Sequence, residues 1–397
     1  MKRTILLGTL LFLTILVVAP VAAQDGTYTF ESDYYRVISE VDDTHARRTA
    51  EHLEAMLSLY NRQFRFAPED LTAPLRVRIF ASKDRYDAYL TRLIDETRDG
   101  FVYLHYQDIE KSELVGYNSP EGDLTQSMNH QSFVQYLRAF VPNPPLWIRE
   151  GFAVYYETSQ YDPEFDTAIY HENLLWLDTL KEIIAGDSVH PVIPFDEMLA
   201  MRPDDAREQL DAFYPQAWGM VSFLLNSDEP AANRILWDSL SALDADATLD
   251  ENIEAVYNEA FRWADQDELV ELFVGYLDSR RSFRGWITHG VDRYNASDLD
   301  EAEAAFTAAV ELDEGNYVPY YYLGLINYEE GNYGLADFYY QEAITKGAEA
   351  AVTLYALGVN AYADNRFDDA VAYLEEAVEA DPAYEARAEE VLVRIRG

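Results

Sequence analysis

The spacing of apolar residues switches between the period of a helix and that of a strand along the first third of the chain. In residues 44–64 apolar side chains recur every three or four positions, which predicts an amphipathic helix. In residues 75–80 they alternate with arginine, which predicts a half-buried strand. The same reasoning predicts further elements: strands at 35–39, 101–106 and 113–117, and a helix at 83–97. This mixture is typical of a small α+β unit.

Residues 124–157 contain two predicted helices that meet at a proline-rich break. Pro142, Pro144 and Pro145 cannot continue the first helix, so it ends before them. His130 lies on the apolar face of this first helix, one turn before Val134. The second helix opens with a Trp-x-x-Glu-Gly-x-Ala motif, which consists of Trp147, Glu150, Gly151 and Ala153. Helices are also predicted at 171–185 and 261–276.

The last third of the chain repeats with a fixed period. Gly290, Gly324 and Gly358 lie 34 residues apart. Three further sets keep the same step: Ala302, Ala336 and Ala370; Ala309, Ala343 and Ala377; and Tyr294, Tyr328 and Tyr362. Small residues at fixed offsets let paired helices approach closely, and each pair buries its apolar face only against its neighbours. We therefore predict three helix pairs and a capping helix at 385–396.

The chain is strongly acidic. Its 72 acidic and 30 basic residues give a formal net charge of −42 at pH 7. Phosphate backbones and anionic lipid surfaces would repel such a chain, which argues against nucleic acid as a partner. A protein partner would instead present basic and aromatic groups. The chain contains no cysteine, so a disulfide framework and a thiol nucleophile are both excluded.

The first 23 residues have the pattern of a signal peptide. Lys2 and Arg3 precede an apolar run at 5–18, and small residues form a predicted cleavage site near Ala23. The run is short for a membrane span, although an uncleaved anchor stays open as an alternative. No second apolar run of membrane length follows. We therefore expect a mature chain that is periplasmic or secreted and has no transmembrane segment.

The two helices of residues 124–157 resemble those of the peptidase MA-like metallopeptidases, the gluzincins. In that family His-Glu-x-x-His is followed further along the chain by Trp-x-x-Glu-Gly-x-Ala. Two histidines and the later glutamate hold zinc, and the first glutamate is the general base. The resemblance places His130 at the first ligand and Glu150 at the third, with Gln131 at the general base and Val134 at the second histidine. It implies a zincin-like α+β domain over residues 24–281.

The residues at these positions predict a site without catalysis. A catalytic zinc ion needs three protein ligands and an open position, and His130 and Glu150 supply two. The amide of Gln131 cannot take a proton from water. We therefore predict no cofactor and a vestigial metal site in which the two residues form a buried, hydrogen-bonded pair. The alternative is a zinc metallopeptidase that uses them with an unidentified third ligand, for which His105 and His171 are candidates.

The repeats of residues 282–397 resemble tetratricopeptide repeats, whose first helices line a concave groove. Leu357 and Gly358 carry the Leu-Gly pair of that family, whereas His289 replaces the leucine in the first unit. The resemblance assigns nine residues to the groove: Ile287, Val291 and Tyr294; Tyr321, Leu325 and Tyr328; and Tyr355, Val359 and Tyr362. We expect a non-catalytic protein that binds a protein or peptide through this groove, with the first domain as a scaffold. A structural adaptor that bridges other envelope proteins is a further alternative.

Overall fold

A computed structural model describes residues 26–119 and 122–397, which form two compact units. The first unit comprises the described residues up to Asn173 together with His190–Val270. The second comprises Leu174–Val189 and Glu271–Gly397. The predicted signal peptide at 1–23 lies outside the described residues. The predicted domain boundary at residue 282 falls within the second unit.

The first unit begins with alternating strands and helices. Their bounds are β1 Tyr28–Glu31, β2 Tyr35–Ser39, α1 Asp43–Phe64, β3 Leu75–Phe80, α2 Lys83–Ile94, β4 Val102–Leu104, β5 Glu113–Tyr117, α3 Thr125–Phe140, α4 Leu146–Tyr156, β6 Gln160–Asp162 and β7 Thr167–Ile169. The proline-rich break therefore separates α3 from α4, as the sequence predicts.

Five of these strands form one mixed sheet in the order β1-β2-β3-β5-β4. The strands β2, β3 and β5 run parallel, and β1 and β4 pair antiparallel at the two edges. Alternate residues of β3, such as Val77, are buried, whereas its arginines turn to the other face. There Arg76 and Arg78 each place a side-chain nitrogen 3.1 Å from the carboxylate of Glu113. The alternation predicted for residues 75–80 is thus present, and β5 supplies the charge that pairs with the arginines.

Seven more helices follow. Their bounds are α5 Leu177–Ala185, α6 Phe195–Ala200, α7 Pro203–Arg207, α8 Leu210–Asn226, α9 Pro230–Ser241, α10 Leu249–Val256 and α11 Gln266–Asp278. The helix α4 packs closely against α8. A Cβ atom on Gly151 would lie 2.5 Å from the carbonyl oxygen of Ala217, so this position in the motif requires glycine.

Two predicted helices begin later than expected. The helix predicted at 171–185 begins at Leu177, because the buried Asn173 is held away from helical pairing and donates a hydrogen bond to the carbonyl oxygen of Val154 (3.1 Å). The helix predicted at 261–276 begins at Gln266. The side chain of Asp265 accepts hydrogen bonds from the N–H groups of the first turn and so caps it. Both shifts come from polar side chains that stop or start a helix.

The second unit contains the repeats. Their helices are α12 Phe283–Asn295, α13 Leu299–Leu312, α14 Tyr317–Glu329, α15 Tyr333–Thr345, α16 Ala350–Ala363, α17 Phe367–Ala380 and α18 Glu385–Arg396. The helix α5 also belongs to this unit. Its Asp178 accepts a hydrogen bond from the hydroxyl of Ser282 (2.7 Å), the residue that caps α12. The three predicted pairs and the capping helix are therefore all present.

The repeated glycines mark the positions where the two helices of a pair touch. A Cβ atom on Gly324 would lie 2.5 Å from the ring of Tyr340 in α15. The same contact would arise between Gly290 and Phe306 at 2.8 Å, and between Gly358 and Leu374 at 2.7 Å. A small residue on the first helix thus receives a large one from the second, which is why the glycine step of the sequence is constant.

The structure gives no helix that could span a membrane within residues 26–119 and 122–397, because none there is both long and apolar enough.

Candidate functional site

The imidazole of His130 lies between two carboxylates in the first unit. Its Nε2 is 3.2 Å from Oε2 of Glu150, and its Nδ1 is 2.9 Å from Oε2 of Glu157. His130 comes from α3, Glu150 from α4, and Glu157 from the residue that ends α4. The three side chains are only 11 to 17% exposed. The structure therefore brings together the predicted pair of His130 and Glu150, and adds a second carboxylate.

Charge pairing fixes the protonation of this site. Burial would lower the pKa of His130, but the hydrogen bonds from Glu150 and Glu157 outweigh it and raise the pKa to about 9. Burial would likewise raise the pKa of Glu150, but the charge of Arg149 and the bond from His130 lower it to about 2. At neutral pH His130 is therefore an imidazolium that donates from both ring nitrogens.

Two further side chains complete the network. Arg149 donates from Nε to Oε1 of Glu150 at 2.6 Å. Asn173 donates from Nδ2 to Oε1 of Glu157 at 2.7 Å. Two cations thus face two carboxylates, and the buried group of charges is balanced, as buried charges require.

The sequence analysis missed Glu157, although its spacing carries a signal. It lies seven residues after Glu150, which is two turns of a helix and places both carboxylates on one face. No such rule could have identified Asn173, because its contact depends on a turn after β7 that brings it back to α4.

Gln131 and Val134 occupy the two positions where the resemblance expects a base and a ligand. Oε1 of Gln131 accepts a hydrogen bond from the N–H of Tyr103 on the edge strand β4 (3.2 Å). One turn earlier, Oγ of Ser127 accepts from the N–H of Phe101 (2.8 Å). These side chains of α3 therefore satisfy backbone donors at the open edge of the sheet. Val134 is buried and offers no donor atom to a metal ion.

The two histidines considered as replacement ligands do not complete the site. Burial, together with Arg138 and Arg149, lowers the pKa of His105 to about 4. His171 is exposed, and its recorded contact is a backbone one, from the hydroxyl of Thr158. Across residues 26–119 and 122–397 no three or more histidine, aspartate or glutamate side chains form a group that could hold a metal ion.

These residues do not fit a catalytic zinc ion. A zinc ligand must offer a neutral imidazole nitrogen, whereas both nitrogens of His130 donate to carboxylates. The carboxylates also meet opposite sides of the ring, so they do not converge with it on one point. A general base is missing, because Gln131 is neutral and already bonded to β4.

The predicted groove residues of the second unit form a continuous half-buried row. All nine, from Ile287 to Tyr362, are partly exposed and pack against the cores of the repeats. The hydroxyl of Tyr294 donates to the carboxylate of Glu329 in the next pair. The ring of Tyr355 lies 5.5 Å from that of Tyr384, which precedes the capping helix. Part of each tyrosine thus serves packing, and the remainder faces solvent.

The comparisons with known proteins concern these repeats. A family model described as a tetratricopeptide repeat matches residues 351–384. The chain therefore contains a tetratricopeptide repeat, and such repeats suggest protein–protein interaction. No curated protein matches the chain. Neither the model nor the structures below support the peptidase resemblance, which stays a prediction.

Several solved structures show partial similarity. The N-terminal domain of stress-induced protein-1 from C. elegans is 19% identical over 28% of this chain and 93% of that chain, with a TM-score of 0.26. MamA from Desulfovibrio magneticus RS-1 is 16% identical over 42% of this chain and 94% of its own, with a TM-score of 0.25. The Cut9–Hcn1 hetero-tetramer of the APC/C is 16% identical over 65% and 50%, with a TM-score of 0.25. Scores this low carry no argument about function.

Proposed function

We propose that this protein binds a protein or peptide partner through the groove of its repeats and does not catalyse a reaction. The observation that carries the proposal is the half-buried row of nine aliphatic and tyrosine side chains on α12, α14 and α16. Tyrosine supplies a large rigid contact surface with a polar end, and partly buried rings lose little entropy when a partner covers them.

The charge of the chain determines which partner fits. The formal net charge is −42, and Glu329 lies beside the tyrosine row, where it binds Tyr294. A partner segment with basic and aromatic residues would meet complementary charge, and its association would slow as salt is added. The proposal thus names the chemistry of the partner as basic and aromatic.

The first unit, in this proposal, is a zincin-like scaffold that has lost its chemistry. The balanced group of His130, Arg149, Glu150 and Glu157 supports this, because its charges are engaged with one another. Gln131 supports it as well, because it ties α3 to β4 where a gluzincin would carry its base. We also propose an extracytoplasmic location, on the pattern of residues 1–23.

A peptide selected from a displayed random library against the full chain tests the proposal. Its affinity is then measured by fluorescence anisotropy for two variants of the same repeat. Leu325→Arg places a cation in the groove and should weaken binding of a basic peptide at least roughly tenfold. Leu335→Arg is the matched control, because Leu335 is 54% exposed on α15 and lies outside the groove row. Equal affinities for the two variants would contradict the proposal.

A further inference from the structure

A polar cleft of about 840 Å³ opens in the first unit beside the N-terminal half of α1. Its walls come from α1, from the first turn of α3 and from the strand β6 with the residue that follows it. This volume suits a ligand of several rings. The cleft is separate from the groove of the repeats, so an inference about it does not rest on the proposed function.

The tautomer of His52, which lines this cleft, is fixed from behind. Asn129 is fully buried, and its Nδ2 donates to the carbonyl oxygens of Glu157 (3.1 Å) and Ser159 (2.9 Å). Its Oδ1 must therefore be the atom that faces His52, at 2.7 Å from Nε2. An amide oxygen only accepts, so Nε2 carries the proton.

The other ring nitrogen of His52 is consequently an acceptor. Burial lowers the pKa of His52, against smaller opposing effects of Asn129 and Asp123, so the ring is neutral at neutral pH. In a neutral imidazole protonated on Nε2, Nδ1 holds a lone pair. The cleft is therefore lined by a histidine whose acceptor is set by the fold before any ligand arrives.

The remaining lining atoms mix donors with acceptors. The carboxylates of Asp42 and Glu51 accept, the guanidinium of Arg48 donates, and threonine hydroxyls such as that of Thr49 do both. Carboxylates outnumber guanidinium groups in this lining, which disfavours an anionic ligand. Hydroxyl groups, which both donate and accept, match such a surface without adding charge.

One wall of the cleft is flat and apolar. The ring of Tyr161 lies 5.5 Å from that of His52 at an angle of 52°, and its hydroxyl donates to Asp166 at 2.8 Å. The hydrogen bond fixes the orientation of the ring. A flat aromatic surface beside polar groups complements a sugar ring, which carries C–H groups on its faces and hydroxyls at its edge.

We propose that this cleft binds an uncharged saccharide, with Nδ1 of His52 accepting a hydrogen bond from a sugar hydroxyl and Tyr161 packing against the C–H face of a sugar ring. The known contacts of Asn129 make this arrangement rigid, because they hold His52 in place from the protein side.

The experiment follows the ring nitrogens of His52 by nitrogen-15 NMR in the full chain. The probes are three neutral trisaccharides of different stereochemistry (maltotriose, cellotriose and the trimer of N-acetylglucosamine) and, as a cationic comparison, trilysine. We expect the free protein to show a protonated Nε2 and an unprotonated Nδ1 at His52. At least one trisaccharide should shift Nδ1 saturably and leave His289 of the second unit unchanged.

Two variants keep the test decisive. Tyr161→Ala removes the flat wall and should weaken binding of the active trisaccharide roughly tenfold. His52→Gln keeps a donor toward Asn129 and should abolish the preference for that sugar while the chain stays folded. The proposal is overturned if no trisaccharide shifts His52, if trilysine alone shifts it, or if Tyr161→Ala binds like the parent protein.

Discussion

Oε2 of Glu157 lies 2.9 Å from Nδ1 of His130, on the side of the ring opposite Glu150. This contact separates the site from a zinc site, because it commits the second ring nitrogen to a carboxylate. In the gluzincin resemblance His130 would offer one nitrogen to the metal. Here it is the central cation of a closed group, and its role in this account is to hold α3 against α4.

Removal of His130 should therefore destabilise the first unit. His130→Ala leaves Glu150 and Glu157 buried without their shared partner, which should cost about 3 kcal/mol in the free energy of unfolding. His289→Ala is the control, because its partner Glu301 is exposed and the pair is 3.4 Å long. Urea unfolding of both variants, followed by circular dichroism, gives the comparison. A loss for His130→Ala no larger than for the control would contradict the structural role.

Stability should depend on pH in a defined window. The pKa of His130 is raised from 6.5 to about 9, so its contribution is complete below pH 6.5 and is lost as the pH rises toward 9. The pKa of Glu150 is lowered from 4.5 to about 2, so its contribution is present above pH 4.5 and is lost as the pH falls toward 2.

We therefore expect the free energy of unfolding to fall by about 2–3 kcal/mol between pH 6.5 and pH 9, and His130→Gln to remove most of that fall. Urea unfolding at the two pH values measures it. An alkaline fall that persists undiminished in His130→Gln would assign it to other groups.

The zinc resemblance can be tested by restoring the missing residues. Val134→His with Gln131→Glu supplies the second ligand and the base that the family motif requires. Isothermal titration should show no zinc binding by the parent chain and binding by the double variant. Zinc should also raise the melting temperature of that variant, because a ligand bound by the folded state alone stabilises it.

Tight, stoichiometric zinc binding by the parent chain would contradict the account. If neither protein binds zinc and both are folded, His130 and Glu150 do not form part of a gluzincin ligand set.

The repeats should be sensitive to the size of the residue at the glycine step. Gly324→Ala places a Cβ atom 2.5 Å from the ring of Tyr340 and should cost about 1–3 kcal/mol through overpacking. Gly334→Ala is the matched control in α15, because nothing lies within 4 Å of its added Cβ atom. Thermal unfolding should show a lower melting temperature for the first variant and an equal or higher one for the second. The reverse order would show that α14 and α15 pack differently.

The parts of this molecule that the sequence predicted best are those with local causes. The step from Gly290 to Gly324 predicted the helix pairs, because each repeat contacts only its neighbours. The alternation in residues 75–80 predicted β3, because one face of a sheet strand is buried. The helix predicted at 171–185 began six residues late, because the long-range bond of Asn173 overrides the apolar pattern.

The same distinction applies to the candidate sites. His130 and Glu150 follow from a motif and are brought together as predicted. Their second carboxylate, Glu157, and the hydrogen bond of His52 to Asn129 could not be read from spacing alone. The latter joins residues 77 apart in the sequence and exists because α1 and α3 pack side by side.

Hydrogen–deuterium exchange with a bound basic peptide tests the central claim most directly. In the full chain, the account predicts that the peptide slows exchange in α12, α14 and α16, whose side chains form the groove row, and leaves the peptide uncleaved. The exposed faces of α13, α15 and α17 should be unaffected. Protection confined to the first unit, or cleavage of the peptide, would contradict the claim that the repeats bind and that the peptidase-like unit is inactive.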